Sequence, residues 1–94
     1  MATKKITPFA KKVYKVVSKI PLGEVRTYKW VAKKVGNPKA YRAVGQILKN
    51  NPYPLIIPCH RVIASDGNLG GYRFGKKTKR ILLYLEQRIK KDMV

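Results

Sequence analysis

The chain has 94 residues, a length that allows one small globular domain and leaves no room for a second. Its 22 Lys and Arg against 4 Asp and Glu give a net charge of +18, which favours a nucleic-acid partner over the alternatives of a ribosomal or membrane-surface protein. A single Cys and a single His exclude an internal disulfide and a structural zinc site, and no apolar run approaches a membrane span, so the sequence predicts a soluble intracellular protein.

The first predicted helix begins at Thr7-Pro8, where a capping residue precedes a proline that suits the first turn. Apolar residues then recur at helical spacing as far as Ile20 and predict one buried stripe. The lysines between them are left to solvent or phosphate. Pro21 and Gly23 end the helix.

A helix-turn-helix is predicted over about residues 27–49. Thr27 can cap a helix from Tyr28 to Val35, and after the Gly36-to-Pro38 turn a second helix, with Asn37 as its cap, runs to about Lys49. The second helix has an apolar stripe of Ala40, Ala43, Val44, Ile47 and Leu48. Its other positions are small, basic or polar: Tyr41, Arg42, Gly45, Gln46 and Lys49. This division is typical of a helix that contacts DNA, although many short helical pairs bind nothing.

Short strand-like segments are predicted in the segment 55–75, which contains the cysteine. The apolar runs Leu55–Ile57 and Val62–Ala64 are expected to be buried on either side of it. Ser65–Asn68 reads as a turn, and Gly70-Gly71 lets the backbone pass close to another group. A last helix, from Lys77 to about Lys91, is expected to bury Ile81, Leu82, Leu85 and Ile89.

The cysteine and the histidine are adjacent, as Cys59 and His60. A lone intracellular cysteine is most often a small buried hydrophobe, but positive surroundings and a histidine partner favour a nucleophilic thiolate. Adjacent side chains of an extended segment point to opposite faces. Either the chain therefore bends sharply at Cys59, or a water molecule carries the proton between the two side chains.

The sequence around this pair is similar to a known active site. PCHRV (58–62), preceded by NPYPLI (51–56) and followed by GGYRFG (70–75), closely resembles the active-site region of the O6-alkylguanine-DNA alkyltransferases, or methylated-DNA–protein-cysteine methyltransferases. Three more segments resemble the C-terminal domain of that family, in order and at similar spacing: GEVRTYKWVA (23–32), GNPKAYRAVGQILKNNP (36–52) and LLYLE (82–86). The resemblance covers nearly the whole chain.

The resemblance implies a catalytic set of five residues. Cys59 would attack the alkyl carbon on guanine O6 and keep the alkyl group, so that each molecule acts once. His60 would act as the base through a water molecule, and Glu86 would orient and stabilise the charged histidine. Tyr28 would donate a hydrogen bond to the flipped guanine as negative charge develops on it. Asn51 would tie the helix-turn-helix to the cysteine segment.

Ordinary alternatives exist for several of these residues. Glu86 can pair with Lys90 four positions along an exposed helix face, Tyr28 can pack beside Trp30, and Asn51 can form a simple Asn-Pro turn.

The resemblance also implies contacts with DNA and with the base. Arg42 would enter the duplex where the guanine has left, although an arginine in so basic a chain can equally be solvated or bind phosphate. The rest of the predicted DNA surface is Tyr41, Gly45, Gln46 and Lys49. The predicted substrate pocket contains Gly71, Tyr72, Arg73 and Phe74. Arg73 and Phe74 stand where several family members have smaller residues, which would narrow the pocket. Arg61 is expected to belong to the structural framework.

The resemblance predicts a mainly α, winged-helix-like DNA-binding domain with a helix-turn-helix and short strand-like segments around the cysteine. It implies a monomer that repairs duplex DNA containing O6-alkylguanine, without a membrane, a cofactor or a metal. Family members usually carry an N-terminal domain before this one, so here stability and pocket shielding are expected to come from 94 residues. Two alternatives remain: a non-enzymatic damage sensor like the alkyltransferase-like proteins, which replace the cysteine, and a basic helix-turn-helix regulator.

Overall fold

The structure is a computed structural model and describes residues 6–53, 56–72 and 74–93. Within these ranges the α-helices are α1 (Pro8–Val17), α2 (Tyr28–Lys34), α3 (Tyr41–Lys49) and α4 (Lys76–Asp92). Two short strands, β1 (Arg26–Thr27) and β2 (Val62–Ile63), pair in parallel, with Arg26 opposite Val62 and Thr27 opposite Ile63. Two 3₁₀ turns occupy Pro38–Ala40 and Cys59–Arg61. No helix in the described ranges is long and apolar enough to cross a membrane.

The start of α1 is confirmed, but its end comes earlier than predicted. Thr7 Oγ1 accepts a hydrogen bond of 3.1 Å from the backbone N–H of Ala10, which caps the helix. After Val17 the chain tightens into a turn, in which the N–H of Ile20 donates to the carbonyl of Val17. The reason is Pro21, which disfavours a helical conformation in the residue before it. Ile20 is nevertheless buried.

The helix-turn-helix forms from α2 and α3. Thr27 caps α2 as predicted, since its hydroxyl accepts from the N–H of Trp30 at 3.0 Å. The prediction that Asn37 caps the next helix is wrong, because its side chain makes no capping hydrogen bond. The chain first makes the 3₁₀ turn Pro38–Ala40, and α3 begins only at Tyr41.

The core lies where α1, α2, α3 and β2 meet. It is built largely from valines, and its buried members include Val13, Val17, Val31, Val44, Leu48 and Val62. The predicted stripe of α3 is partly confirmed: Val44 and Leu48 are buried and Ile47 packs at the edge, but Ala43 is exposed.

The predicted burial of three α4 residues is wrong. Ile81, Leu85 and Ile89 are exposed, and Leu82 packs against the core as predicted. α4 instead turns inward the face that carries Lys79 and Glu86, because both side chains have polar partners inside the molecule.

The predicted burial of the first apolar run before the cysteine also fails in part. Ile56 is 80% exposed, Ile57 is half-buried, and Leu55 lies outside the described residues. After the cysteine, Val62 is buried in β2 as predicted.

Candidate active site

The chain bends sharply at the cysteine, in agreement with the first of the two predicted geometries. Cys59–Arg61 form a 3₁₀ turn in which the N–H of Arg61 donates to the carbonyl of Pro58 at 2.9 Å. The N–H of Cys59 donates to the carbonyl of Ile57 at 2.7 Å, so the bend begins before the cysteine. Cys59 is 5% exposed and His60 is 1% exposed. Both side chains are therefore held inside the protein.

Glu86, on α4, contacts two side chains of the cysteine turn, those of His60 and Arg61. Its Oε2 lies 2.7 Å from His60 Nε2, and Arg61 donates to both carboxylate oxygens, from Nε at 2.8 Å and from Nη2 at 2.9 Å. Arg61 also donates to the carbonyl of Ile20 at 2.8 Å, as expected of a framework residue. The alternative pairing of Glu86 with Lys90 is not formed, since Lys90 lies 3.7 Å from Glu24 instead.

The carboxylate of Glu86 is held in its ionised form. Burial acts to raise the pKa of Glu86, but the hydrogen bonds from Arg61 and His60, together with the positive charge of Arg61 and that of His60 when it is protonated, outweigh it and lower that pKa. An ionised carboxylate at Nε2 fixes the proton of a neutral histidine on that nitrogen. His60 Nδ1 is then an acceptor, and this buried atom has no hydrogen-bond partner among the described protein atoms.

Asn51 connects the end of α3 to the segment that leads to the cysteine. The side chain is buried, its amide nitrogen donates to the carbonyl of Ile57 at 2.9 Å, and its oxygen accepts from the N–H of Tyr53 at 2.9 Å. Two interpretations of Asn51 are compatible with these hydrogen bonds: that it ties the two segments together, and that it shapes the Asn-Pro turn. Ile57 is two residues from Cys59, so the bond restrains the start of the bend.

Tyr28 is the first residue of α2 and is packed between two glycines and a lysine. A Cβ on Gly70, which has φ of +73°, would lie 2.5 Å from the Tyr28 hydroxyl oxygen, and one on Gly45 would lie 3.9 Å from the ring. Gly70 therefore permits the close approach that the sequence predicted. Burial, and then the negative charge of a Cys59 thiolate, raise the pKa of Tyr28, so its hydroxyl keeps its proton at neutral pH.

Lys79 is a fully buried member of the site that the sequence analysis missed. Its ammonium donates to the carbonyl of Val62 at 2.7 Å, to that of Gly71 at 3.3 Å and to the hydroxyl of Tyr28 at 3.4 Å. Burial lowers the pKa of Lys79 to about 8, against the opposing attraction of a Cys59 thiolate. Because Tyr28 accepts from Lys79, its own proton is free to point elsewhere. The chain has 22 basic residues, so the sequence offers little to distinguish Lys79 from the others. The one available signal is its position seven residues before Glu86, which places both on the same helix face.

A cleft of about 380 Å³ lies between the helix-turn-helix and the glycine segment. It is lined by Tyr28, Arg42, Gly45, Gln46, Lys49 and Gly71. The structure thus brings together four of the five predicted DNA-contact residues with Tyr28. The fifth, Tyr41, is half-buried and packs against the core, under Lys29 and Arg42 at 5.4 and 6.0 Å from its ring centre.

The predicted pocket wall is only partly beside this cleft. Gly71 lines it, whereas Tyr72 is buried, with its ring edge-on to His60 at 6.3 Å and to Phe74 at 5.6 Å. Phe74 is more than half exposed. Arg73 lies outside the described residues. Cys59 is not among the residues that line the cleft.

Fold and site together define a helix-turn-helix domain in which a cysteine, a histidine and a glutamate meet at one 3₁₀ turn. The family model described as the 6-O-methylguanine DNA methyltransferase, DNA binding domain matches residues 8–88. The chain belongs to this family.

Relatives and solved structures agree with this assignment. The methylated-DNA–protein-cysteine methyltransferase of Methanosarcina barkeri is 54% identical over 81 residues, which are 86% of this chain and 51% of that protein. The crystal structure of Mycobacterium tuberculosis OGT in complex with DNA has a TM-score of 0.87 and 45% identity, and the match covers 89% of this chain and 52% of that one. The chain spans about half the length of the curated relatives it matches.

A second kind of solved structure is also similar. The S. pombe Atl1 in complex with damaged DNA containing O6-carboxymethylguanine has a TM-score of 0.75 and 36% identity, with 92% of this chain and 79% of that chain covered. The mainly helical, winged-helix-like fold predicted from the sequence is confirmed by these matches.

Proposed function

We propose that this chain repairs duplex DNA by transferring the alkyl group from O6 of a flipped-out guanine to the sulfur of Cys59. The observation that carries the proposal is the hydrogen-bonded set of His60, Arg61 and Glu86 around the cysteine turn, beside a cleft lined by the helix-turn-helix. The family and its relatives, which are named methyltransferases, support it. Chromosomal DNA as the substrate would place the protein at the nucleoid.

The transfer step follows from the site. His60 Nδ1 accepts the thiol proton through a water molecule, and Glu86 stabilises the resulting imidazolium. The sulfur then forms a bond to the alkyl carbon as the bond from that carbon to guanine O6 breaks, and the electron pair goes to the purine. Tyr28 donates a hydrogen bond to the purine as this charge develops. The purine anion then takes up one proton from solvent, and the His60 imidazolium returns the thiol proton to solvent. The products are an alkylated Cys59 and an ordinary guanine, and a thioether has no ready way back to the thiol.

The helix-turn-helix supplies the DNA surface in this proposal. Arg42, Gln46 and Lys49 are exposed on one face of α3, and with Gly45 they line the same cleft as Tyr28. A base that leaves the stack at this face enters the cleft toward Tyr28, while Arg42 can fill the space it leaves in the duplex. No cofactor takes part in this scheme, and a monomer is sufficient.

Intact mass after incubation with a methylated duplex tests the proposal directly. The wild-type protein should gain one methyl group, and peptide mapping should place it on Cys59. Cys59→Ser should gain none, yet bind the same duplex with nearly unchanged affinity, because a hydroxyl is close in size to a thiol and far less nucleophilic. Loss of DNA binding in the serine variant would instead indicate a structural cysteine.

A damage sensor is the second candidate, and the match to Atl1 favours it. That protein is matched over 79% of its length, and its complex contains an alkylated guanine. In a sensor the buried Cys59 would stay unmodified while the protein still preferred lesion-containing duplexes. A helix-turn-helix regulator would instead prefer a particular unmodified sequence. The same mass experiment, with binding measured in parallel, separates the three.

A further inference from the structure

The outer face of α1 is a second strongly basic surface, separate from the cleft. Lys11, Lys12 and Lys15 lie on one side of the helix, and Lys19 continues this side in the following turn. All four are exposed, and the opposite side of the helix carries the buried Ala10, Val13 and Val17. These four lysines are called the α1 lysine face below.

Among the described residues, none of the ion pairs joins one of these four lysines to an acidic side chain. The ion pairs of Glu24 are with Arg26 and Lys90, and those of Glu86 are with His60 and Arg61. Asp66 accepts hydrogen bonds from Asn68 within its own turn. The first turn of α1 also contains no acidic residue. The positive potential of the four lysines is therefore open to an outside polyanion.

The α1 lysine face and the recognition face of α3 point away from each other. α1 packs its buried stripe on the core, and Tyr14 donates from its hydroxyl to the carbonyl of Ile47, on the core-facing side of α3. The cleft residues Arg42 and Lys49 lie on the opposite side of α3, away from Val44 and Leu48. One duplex held at the cleft therefore leaves the four lysines uncovered.

We propose that the α1 lysine face binds the phosphate backbone of a second DNA duplex, so that one protein molecule bridges two duplexes. Charge complementarity identifies this occupant, because four cations within three helical turns match closely spaced phosphates and offer no means of reading bases. The bridge lets the protein bind neighbouring DNA without sequence preference while α3 contacts the first duplex. This proposal rests on the binding of the first duplex at α3.

The electrostatic contribution of this face can be stated as a salt dependence. Neutralising four phosphates gives a slope of roughly −3.6 in log K against log salt, so the affinity for the second duplex should fall about 150-fold between 50 and 200 mM salt. The test is a capture assay. One unmodified duplex is fixed to beads, a second labelled unmodified duplex is free in solution, and retention of the label by added protein is measured.

Two variants with equal charge loss make the assay specific. Lys11→Gln, Lys12→Gln, Lys15→Gln and Lys19→Gln together remove the α1 lysine face. The control replaces four exposed basic residues of α4 by glutamine: Lys77, Arg80, Arg88 and Lys91. Binding of a single short duplex is followed separately by fluorescence anisotropy, and alkyl transfer by intact mass.

The wild type and the α4 control are expected to retain the labelled duplex, whereas the α1 variant should retain at least about tenfold less at 50 mM salt with unchanged single-duplex binding. Retention by the α1 variant at the wild-type level, or equal loss in both variants, would overturn the proposal. Failure of the proposed function would appear elsewhere, as absence of alkyl transfer or of single-duplex binding in the wild type.

Discussion

Gly70 offers a way to displace Tyr28 without touching any functional group. Its φ of +73° and the 2.5 Å that would separate a Cβ from the Tyr28 hydroxyl oxygen mean that Gly70→Ala has two effects. The backbone conformation itself costs roughly 1–2 kcal/mol for a residue with a side chain. The tyrosine must also move, because the same Cβ would lie 2.9 Å from ring atom Cε2.

The displacement of Tyr28 can be estimated from these contacts. Ordinary contacts between non-bonded heavy atoms are about 3.5 Å, so the hydroxyl must retreat by about 1 Å. Its hydrogen bond from Lys79 is already 3.4 Å long, close to the upper limit for such a bond, so a shift of this size is expected to alter it. A misplacement of about 1 Å in a group that acts on the transition state typically slows a reaction on the order of 100-fold.

Gly67→Ala is the matched control. Gly67 has φ of +89°, but a Cβ there would meet no atom within 4 Å, so the variant has a similar backbone cost without the clash. Single-turnover transfer rates, measured with protein in excess over a methylated duplex and at a temperature where both variants are folded, compare the two. We expect Gly70→Ala to be on the order of 100-fold slower than Gly67→Ala. Equal rates would show that Tyr28 does not assist the leaving guanine from its present position.

Three further substitutions test other parts of the site. Lys79→Met should remove a pH dependence of the free energy of unfolding. The pKa of Lys79 is about 8 in the folded state and 10.5 ordinarily, so between these pH values the folded state binds fewer protons than the unfolded state. The contribution of Lys79 therefore makes the free energy of unfolding rise with pH, by about 3 kcal/mol over the whole window. Urea unfolding at both ends of the window measures it, and an identical rise in the variant would contradict this assignment. Glu86→Gln should slow transfer at least about 100-fold, because it removes the charge that stabilises the protonated histidine. The control Glu24→Gln breaks a solvent-accessible ion pair and should leave the rate unchanged. Equal rates for the two variants would show that Glu86 takes no part in the mechanism. Arg42→Ala should slow repair of duplex DNA far more than reaction with free alkylguanine, and equal slowing of both would argue against an extrahelical role.

Local capping and packing rules were enough to predict the helix-turn-helix. Thr7 and Thr27 start helices because each has a hydroxyl that can accept from a backbone N–H three residues on, and both bonds form. The stripe that contains Val44 and Leu48 is buried because apolar side chains at that spacing share one helix face. These rules concern residues within a turn or two of each other. Asn37 shows their limit, since the following proline shapes a 3₁₀ turn and leaves its side chain unused as a cap.

The rotation of α4 could not be predicted from its own sequence. Apolar periodicity selects the face with Ile81, Leu85 and Ile89, but that face is exposed. The inward face is selected by carbonyl and side-chain partners that come from residues 8 to 51 positions away, among them Gly71, Val62 and Tyr28 as partners of Lys79. A buried ammonium or carboxylate without partners would cost several kcal/mol, which is more than leaving a few apolar side chains half-exposed.

That rotation links the two ends of the proposed reaction. Lys79 and Glu86 lie on one face of α4, seven residues and so about 10 Å apart along the helix. Glu86 holds the cysteine turn through His60 and Arg61, while Lys79 holds the hydroxyl of Tyr28. In the proposed reaction, one rigid helix therefore fixes both the group that removes the thiol proton and the group that donates a hydrogen bond to the purine. Since both must be in place in the same transition state, a single element that sets their separation contributes more than two independently mobile supports would.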